Sequence, residues 1–143
     1  MTLSDVFDNA AGGYLIDFEV KILDENDLIF VSDLRNLGIQ RNVALTLVYL
    51  SNVKEASSRE IEIGTGLRQP EISLAICFMG DNGWIENRMV RVNKKGRPLK
   101  VYSLCASMET IYAYYEMKAH EDYENSIGKI NQLKELINKD GQK

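Results

Sequence analysis

The chain is poor in the residues that build metal sites, disulfide frameworks and membrane spans. It has one histidine, His120, and two cysteines, Cys77 and Cys105. A metal site needs three or four ligands, and His120 has no clustered partner, so no metal is expected. The cysteines form no CxxC pair, so reduced thiols and a cytoplasmic setting are the expectation. Cys77 is either an oxidation switch or a small packing residue. No apolar run approaches the ~18 residues of a membrane span. The opening Met1-Thr2-Leu3-Ser4-Asp5 lacks the basic and apolar regions of a signal peptide. No phosphate loop, nucleophile elbow or HExxH occurs. Acids such as Asp24, Glu25 and Asp27 have no base or metal set beside them. Neither enzymatic activity nor a cofactor is expected.

What remains is ordinary globular material. The chain has 143 residues, 45% hydrophobic and 27% charged, enough for one domain and an added helix. Its formal net charge is -4, but the charge is unevenly placed. Residues 1–56 sum to -5, residues 57–104 to +3 and residues 105–143 to -2. A local cationic surface points to a polyanion better than the total does. Its focus is Arg88–Lys100, with six basic residues and no acid. A merely solvated charged hairpin would also account for that run.

Asn9-Ala10-Ala11-Gly12-Gly13 is a breaker, and Tyr14–Leu23 suits strand or helix equally. From Asp27 the spacing of Leu28, Val31 and Leu34 predicts a helix stopped by Gly38. Arg41–Ser51 reads as a compact apolar helix, and Lys54–Ala56 as a loop. Ser57 and Glu60 have capping-box spacing and open a short helix that ends at Gly64-Thr65-Gly66. Pro70 is expected at the first position of the next helix, where its missing N–H costs nothing. Ile72, Ala75, Ile76 and Met79 should face inward. Asp81-Asn82-Gly83 closes that helix. Two strands follow around a tip at Asn93–Pro98.

The run of Arg41–Ala44, Ser58–Glu62, Gly64–Ser73, Asn82–Ile85 and Lys95–Leu104 resembles the archaeal family of predicted winged-helix transcriptional regulators. That family is similar to the broader TrmB, ArsR and MarR groups. The Gln69-Pro70-Glu71-Ile72-Ser73 helix start and the Lys95-Gly96-Arg97-Pro98 wing carry the likeness. It spans roughly residues 38–105 and leaves the first 37 uncovered. It implies a dimeric protein that binds double-stranded DNA without enzymatic activity. The expected fold is mainly α with a small β-hairpin, a winged helix-turn-helix plus a long C-terminal helix. Residues 1–37 would be an N-terminal extension, 38–105 the DNA-binding domain and 106–143 a dimerisation helix.

The expected DNA contacts are Arg68, Gln69, Pro70, Ser73 and Leu74 from the turn and helix. The wing would add Arg91, Lys94, Lys95, Arg97 and Lys100. The outward arc of Pro70, Ser73, Leu74, Cys77 and Asp81 departs from the family's basic recognition helices. Ser73 can hydrogen-bond and Leu74 can touch a thymine methyl, but no bidentate side chain is present. The wing should therefore carry most of the affinity by neutralising phosphates. Gly96-Arg97-Pro98 suits an extended Arg in a narrow A·T minor groove, although Pro98 can equally serve only to shape the hairpin.

Tyr112, Tyr115, Ala119, Ile127, Ile130, Leu133 and Ile137 belong to a seam that, with Met108 and Tyr123, recurs at spacings of three and four. They are the expected homodimer interface, which would set half-sites about one helical turn apart. The tyrosines either pack there or line an effector pocket, and His120 is a solvated helix residue. An effector, small molecule or protein, is not identified. The rival reading is a winged-helix protein-interaction module without direct DNA readout, favoured by the acidic flanks and the apolar Leu74/Cys77 face.

Overall fold

The computed structural model describes residues 20–91 and 96–141. The chain divides into two units, Met1–Ser107 and Met108–Lys143. The described part of the first holds helices α1 (Glu25–Asn36), α2 (Arg41–Asn52), α3 (Ser58–Thr65) and α4 (Gln69–Asp81), and strands β1 (Ala56–Ser57), β2 (Ile85–Arg91) and β3 (Pro98–Leu104). The second is a single helix, α5 (Met108–Gly141). The fold is mainly α with a small antiparallel sheet, in the helix–strand–helix–helix–hairpin order of a winged helix.

Helix α1 starts because Asp24 and Asp27 cap each other: each carboxylate accepts the other's backbone N–H, at 2.8 and 3.0 Å. It stops at Gly38, whose φ of +97° is the left-handed conformation that glycine tolerates. There the Ile39 N–H reaches the Leu34 carbonyl at 3.3 Å, and both side chains are buried. Val31 and Leu34 seat α1 against α2, so this helix, assigned by sequence to the extension, belongs to the first unit's core.

Helix α2 is the centre of that core. All eight residues from Val43 to Leu50 are buried, so it is covered all round rather than on one stripe. Burying each Val or Leu stabilises by about 1.5–3 kcal/mol. The helix-propensity deficit of valine is below about 0.7 kcal/mol, so packing decides the conformation. Gly64, near the end of α3, lies where the Tyr49 ring and the Lys21 carbonyl leave no room for a Cβ.

The sheet order is β1-β3-β2, with both pairings antiparallel. Strand β1 occupies part of the stretch read as a loop; only its pairing of Ala56 with Tyr102 and Ser57 with Val101 makes it a strand. Pro98 opens β3 ahead of the residues that β1 pairs, so its missing N–H breaks no ladder on that side. Trp84 anchors the turn into β2. Its ring meets Phe78 edge-on with centroids 5.5 Å apart, and its carbonyl accepts the Cys105 N–H at 2.8 Å.

Candidate nucleic-acid interface

The turn between α3 and α4 is three residues long because Gly66 adopts φ +78° and its N–H closes α3 on the Glu62 carbonyl at 2.9 Å. Leu67 is buried and pins the turn to the core. Arg68 is the N-cap of α4, and the Glu71 carboxylate accepts its backbone N–H at 2.9 Å. Gln69 has already entered the helix, so Pro70 is its second residue rather than the expected first. The first four N–H groups of a helix have no partner within it, so the proline is harmless at either place. The first internal bond runs from the Ile72 N–H to the Arg68 carbonyl, 3.1 Å.

Four contacts brace this helix start. The Gln69 amide donates to the Glu62 carboxylate at 2.5 Å and to the Ser58 carbonyl at 3.3 Å. The Asn42 amide donates to the Glu71 carbonyl at 3.0 Å. Arg41 approaches the Glu71 carboxylate at 3.6 Å. Gln69, expected to face DNA, thus ties α4 to α3. Arg41, outside the expected set, stands beside the start of α4.

Along α4, Ile72, Ala75 and Met79 are buried and Ile76 is half-buried. Ser73, Leu74 and Cys77 are exposed, Leu74 at 68%. The Cys77 thiol faces the Asp81 carboxylate at 3.9 Å, and neither cysteine forms a disulfide.

The hairpin register sorts the wing by face. Arg88 lies opposite Val101 and Val90 opposite Leu99, and buried Val101 marks that side as inward. Met89 lies opposite Lys100 and Arg91 opposite Pro98. Arg91 and Lys100 are therefore diagonal neighbours on the outward face, both exposed. Arg97, also exposed, precedes β3 at the tip. Lys94 and Lys95 lie outside the described residues.

Arg88 is not available in the same way. Its guanidinium grips the Glu55 carboxylate with two bonds, Nε to Oε2 at 2.8 Å and Nη2 to Oε1 at 2.5 Å. Glu55 precedes β1 by one residue, and alternation from Ser57 puts it on the inward side with Arg88, across the central strand. The hydrogen bond from Arg88, more than its charge, holds the Glu55 carboxyl below its ordinary value, and Glu55 raises Arg88 in return. Of the six basic residues in Arg88–Lys100, one is thus paired with an acid of its own chain, its side chain still 63% exposed. The alternation shared by Glu55 and Ser57 is the sequence signal for this pair, legible only once β1 is recognised as a strand.

In the second unit, Tyr114 and Tyr115 meet edge-on with centroids 5.0 Å apart. Burial, then the neighbouring Tyr114, pushes the Tyr115 hydroxyl up to about 12. Every side chain from Glu116 to Lys139 is exposed. Of the expected interface, Tyr115 is half-buried and Ala119 exposed. Tyr112 is 40% exposed, Ile127 39%, Ile130 46%, Leu133 61% and Ile137 69%.

No protein-family model matches the chain, and no curated protein matches it. Similar solved structures include a possible transcriptional regulator from Methanosarcina mazei Go1. It is 14% identical with a TM-score of 0.49, over 86% of this chain and 97% of that one. Stf76 from the Sulfolobus islandicus plasmid-virus pSSVx is 19% identical with a TM-score of 0.42, over 54% and 96%. The circadian clock associated protein Pex from Anabaena is 15% identical with a TM-score of 0.39, over 88% and 99%.

Proposed function

We propose that the protein is a transcriptional regulator that binds duplex DNA as a homodimer, with α4 in the major groove and the wing on the backbone. One observation carries the reading. A braced helix with an exposed face is followed, on the same unit, by a hairpin whose outward face presents Arg91 and Lys100, with Arg97 at its tip. The wing supplies affinity through phosphate neutralisation. The α4 face offers Ser73 and Leu74, so direct base readout is sparse and DNA shape supplies much of the selectivity. Arg97, between Gly96 and Pro98, is suited to a narrow minor groove.

The homodimer reading rests on α5. Its 34 residues give a length of ~50 Å at 1.5 Å per residue. An exposed apolar stripe of that length calls for a partner surface. A second copy satisfies it and supplies paired half-sites about one helical turn apart.

The test is fluorescence anisotropy on a generic duplex at low salt, with light scattering of the protein alone. Salt-sensitive binding by a dimer is the expected result. A dimer with no duplex binding at 50 mM salt, roughly the low end of the usual range, would replace this reading with a protein-interaction module. The observation behind that second reading is Leu74, an apolar side chain 68% exposed on the proposed DNA face.

A further inference from the structure

Among the described residues of the first unit is a concavity that the proposed DNA-binding surface does not use. It lies between α1 and α2, reaches Thr65 at the end of α3 and encloses about 460 Å³. That volume falls within the ~300–1,000 Å³ of small-molecule sites. Its described lining includes Arg35, Arg41, Ser32, Asn36 and Leu45, and none of the described lining residues is acidic. In a chain of net charge -4, a hollow whose described lining holds two arginines and no acid is a local reversal of sign.

The surrounding backbone adds to that reversal. Arg35 stands in the last turn of α1 and Arg41 is the first residue of α2. Helix α2 begins with no acid in its first turn, and its N-cap Gln40 makes no side-chain cap bond. The Asn42 amide oxygen accepts one N–H of that turn, from Val43 at 3.0 Å, but the positive end of the α2 dipole meets no carboxylate of its own first turn. Arg41 has one ion pair, to Glu71 at 3.6 Å, with both side chains about half exposed. Pairs of that kind hold weakly, so Arg41 can turn to a second anion. A guanidinium fork matches phosphate and carboxylate oxygens. Ser32 and Asn36 add neutral hydrogen-bonding groups for the rest of a polar ligand.

We propose that this groove binds a small dianion, held by Arg35 and Arg41. The shared chemistry is two negative charges on a compact polar molecule, either a phosphate or a dicarboxylate. This site goes beyond the DNA-binding reading and does not depend on it.

Isothermal titration of the full chain at constant ionic strength tests it, with inorganic phosphate, succinate and neutral succinamide as probes. The expected result is saturable binding of phosphate, succinate or both, with no binding of succinamide; which dianion binds identifies the source. Arg35→Ala and Arg41→Ala should each weaken that binding at least tenfold. Arg35→Lys and Arg41→Lys, which keep the charge, should retain part of it and guard against a folding defect. The proposal is overturned if neither dianion saturates, if succinamide binds equally well, or if either alanine variant binds like the wild type. If neither dianion binds while both alanine variants flatten the salt dependence of duplex binding, the arginines belong to the DNA surface and the proposal is equally overturned.

Discussion

The Arg88–Glu55 pair separates charge count from usable charge on the wing. By sequence Arg88 is equivalent to Arg91 and Arg97, but by structure its guanidinium is already bonded twice to Glu55 on the inward side. Each phosphate contact contributes about 0.9 to the slope of log K against log salt. Over a fourfold rise in salt, one contact is therefore worth about a 3.5-fold change in affinity. Arg97→Ala and Arg91→Ala should each remove one such increment, measured by anisotropy on a fixed duplex between 50 and 200 mM salt, roughly the customary interval. Arg88→Ala should lower the slope by less than Arg97→Ala does, since two bonds to Glu55 compete with any phosphate for a guanidinium whose side chain is 63% exposed. Glu55→Gln should act in the opposite sense. It releases Arg88 and steepens the slope by up to about 0.9 if the freed side chain reaches a phosphate. An Arg88→Ala slope falling as far as that of Arg97→Ala would refute the reasoning, because it would mean that the clamp opens at no cost when DNA arrives.

Two further outcomes follow from the core and the clamp. Thr46 is fully buried on α2, and its hydroxyl has no hydrogen-bond partner among the described residues, so Thr46→Val should raise stability by about 1–2 kcal/mol in urea melts. The Glu55 carboxyl is held below its ordinary value of 4.5, so its contribution is present in full above that value and lost as pH falls through the lowered one; an acid titration by circular dichroism should show this loss in the wild type and not in Arg88→Ala.

Much of the fold was legible because its signals are local. The Ser57/Glu60 capping box is present, with the Ser57 N–H donating to the Glu60 carboxylate at 3.1 Å. Gly38 ends α1, and Ile72, Ala75 and Met79 are the buried face of α4. These depend on neighbours within a turn or two. What the sequence concealed depends on partners far along the chain. Strand β1 is two residues long and has no periodicity of its own; it is a strand only because β3 passes beside it. The spacing of Val43, Leu47 and Leu50 marks one stripe of α2, but α1, α4 and the sheet cover the other sides as well. The candidate site divides in the same way. Exposure of Ser73 and Leu74 follows from helical geometry, whereas the pairing of Gln69 with Glu62 and of Arg88 with Glu55 requires the tertiary fold.

Those pairings change how the candidate interface is understood. The start of α4 is tied to two different helices. Gln69 reaches Glu62 on α3, and Glu71 receives Asn42 and Arg41 from α2. A helix held at its first turn by polar contacts has its orientation set there, while its exposed face remains free to meet a surface. With no bidentate side chain on that face, orientation matters more to recognition than the identity of any one contact. Under the proposed DNA-binding function, a rigidly placed α4 would fit the groove only where the duplex has the matching width and twist, and the wing would sample the same duplex through its phosphates. Arg41 belongs to this brace and also lines the groove between α1 and α2. Any anion drawn into that groove shares the guanidinium with Glu71, and so acts on one of the contacts that hold the start of α4.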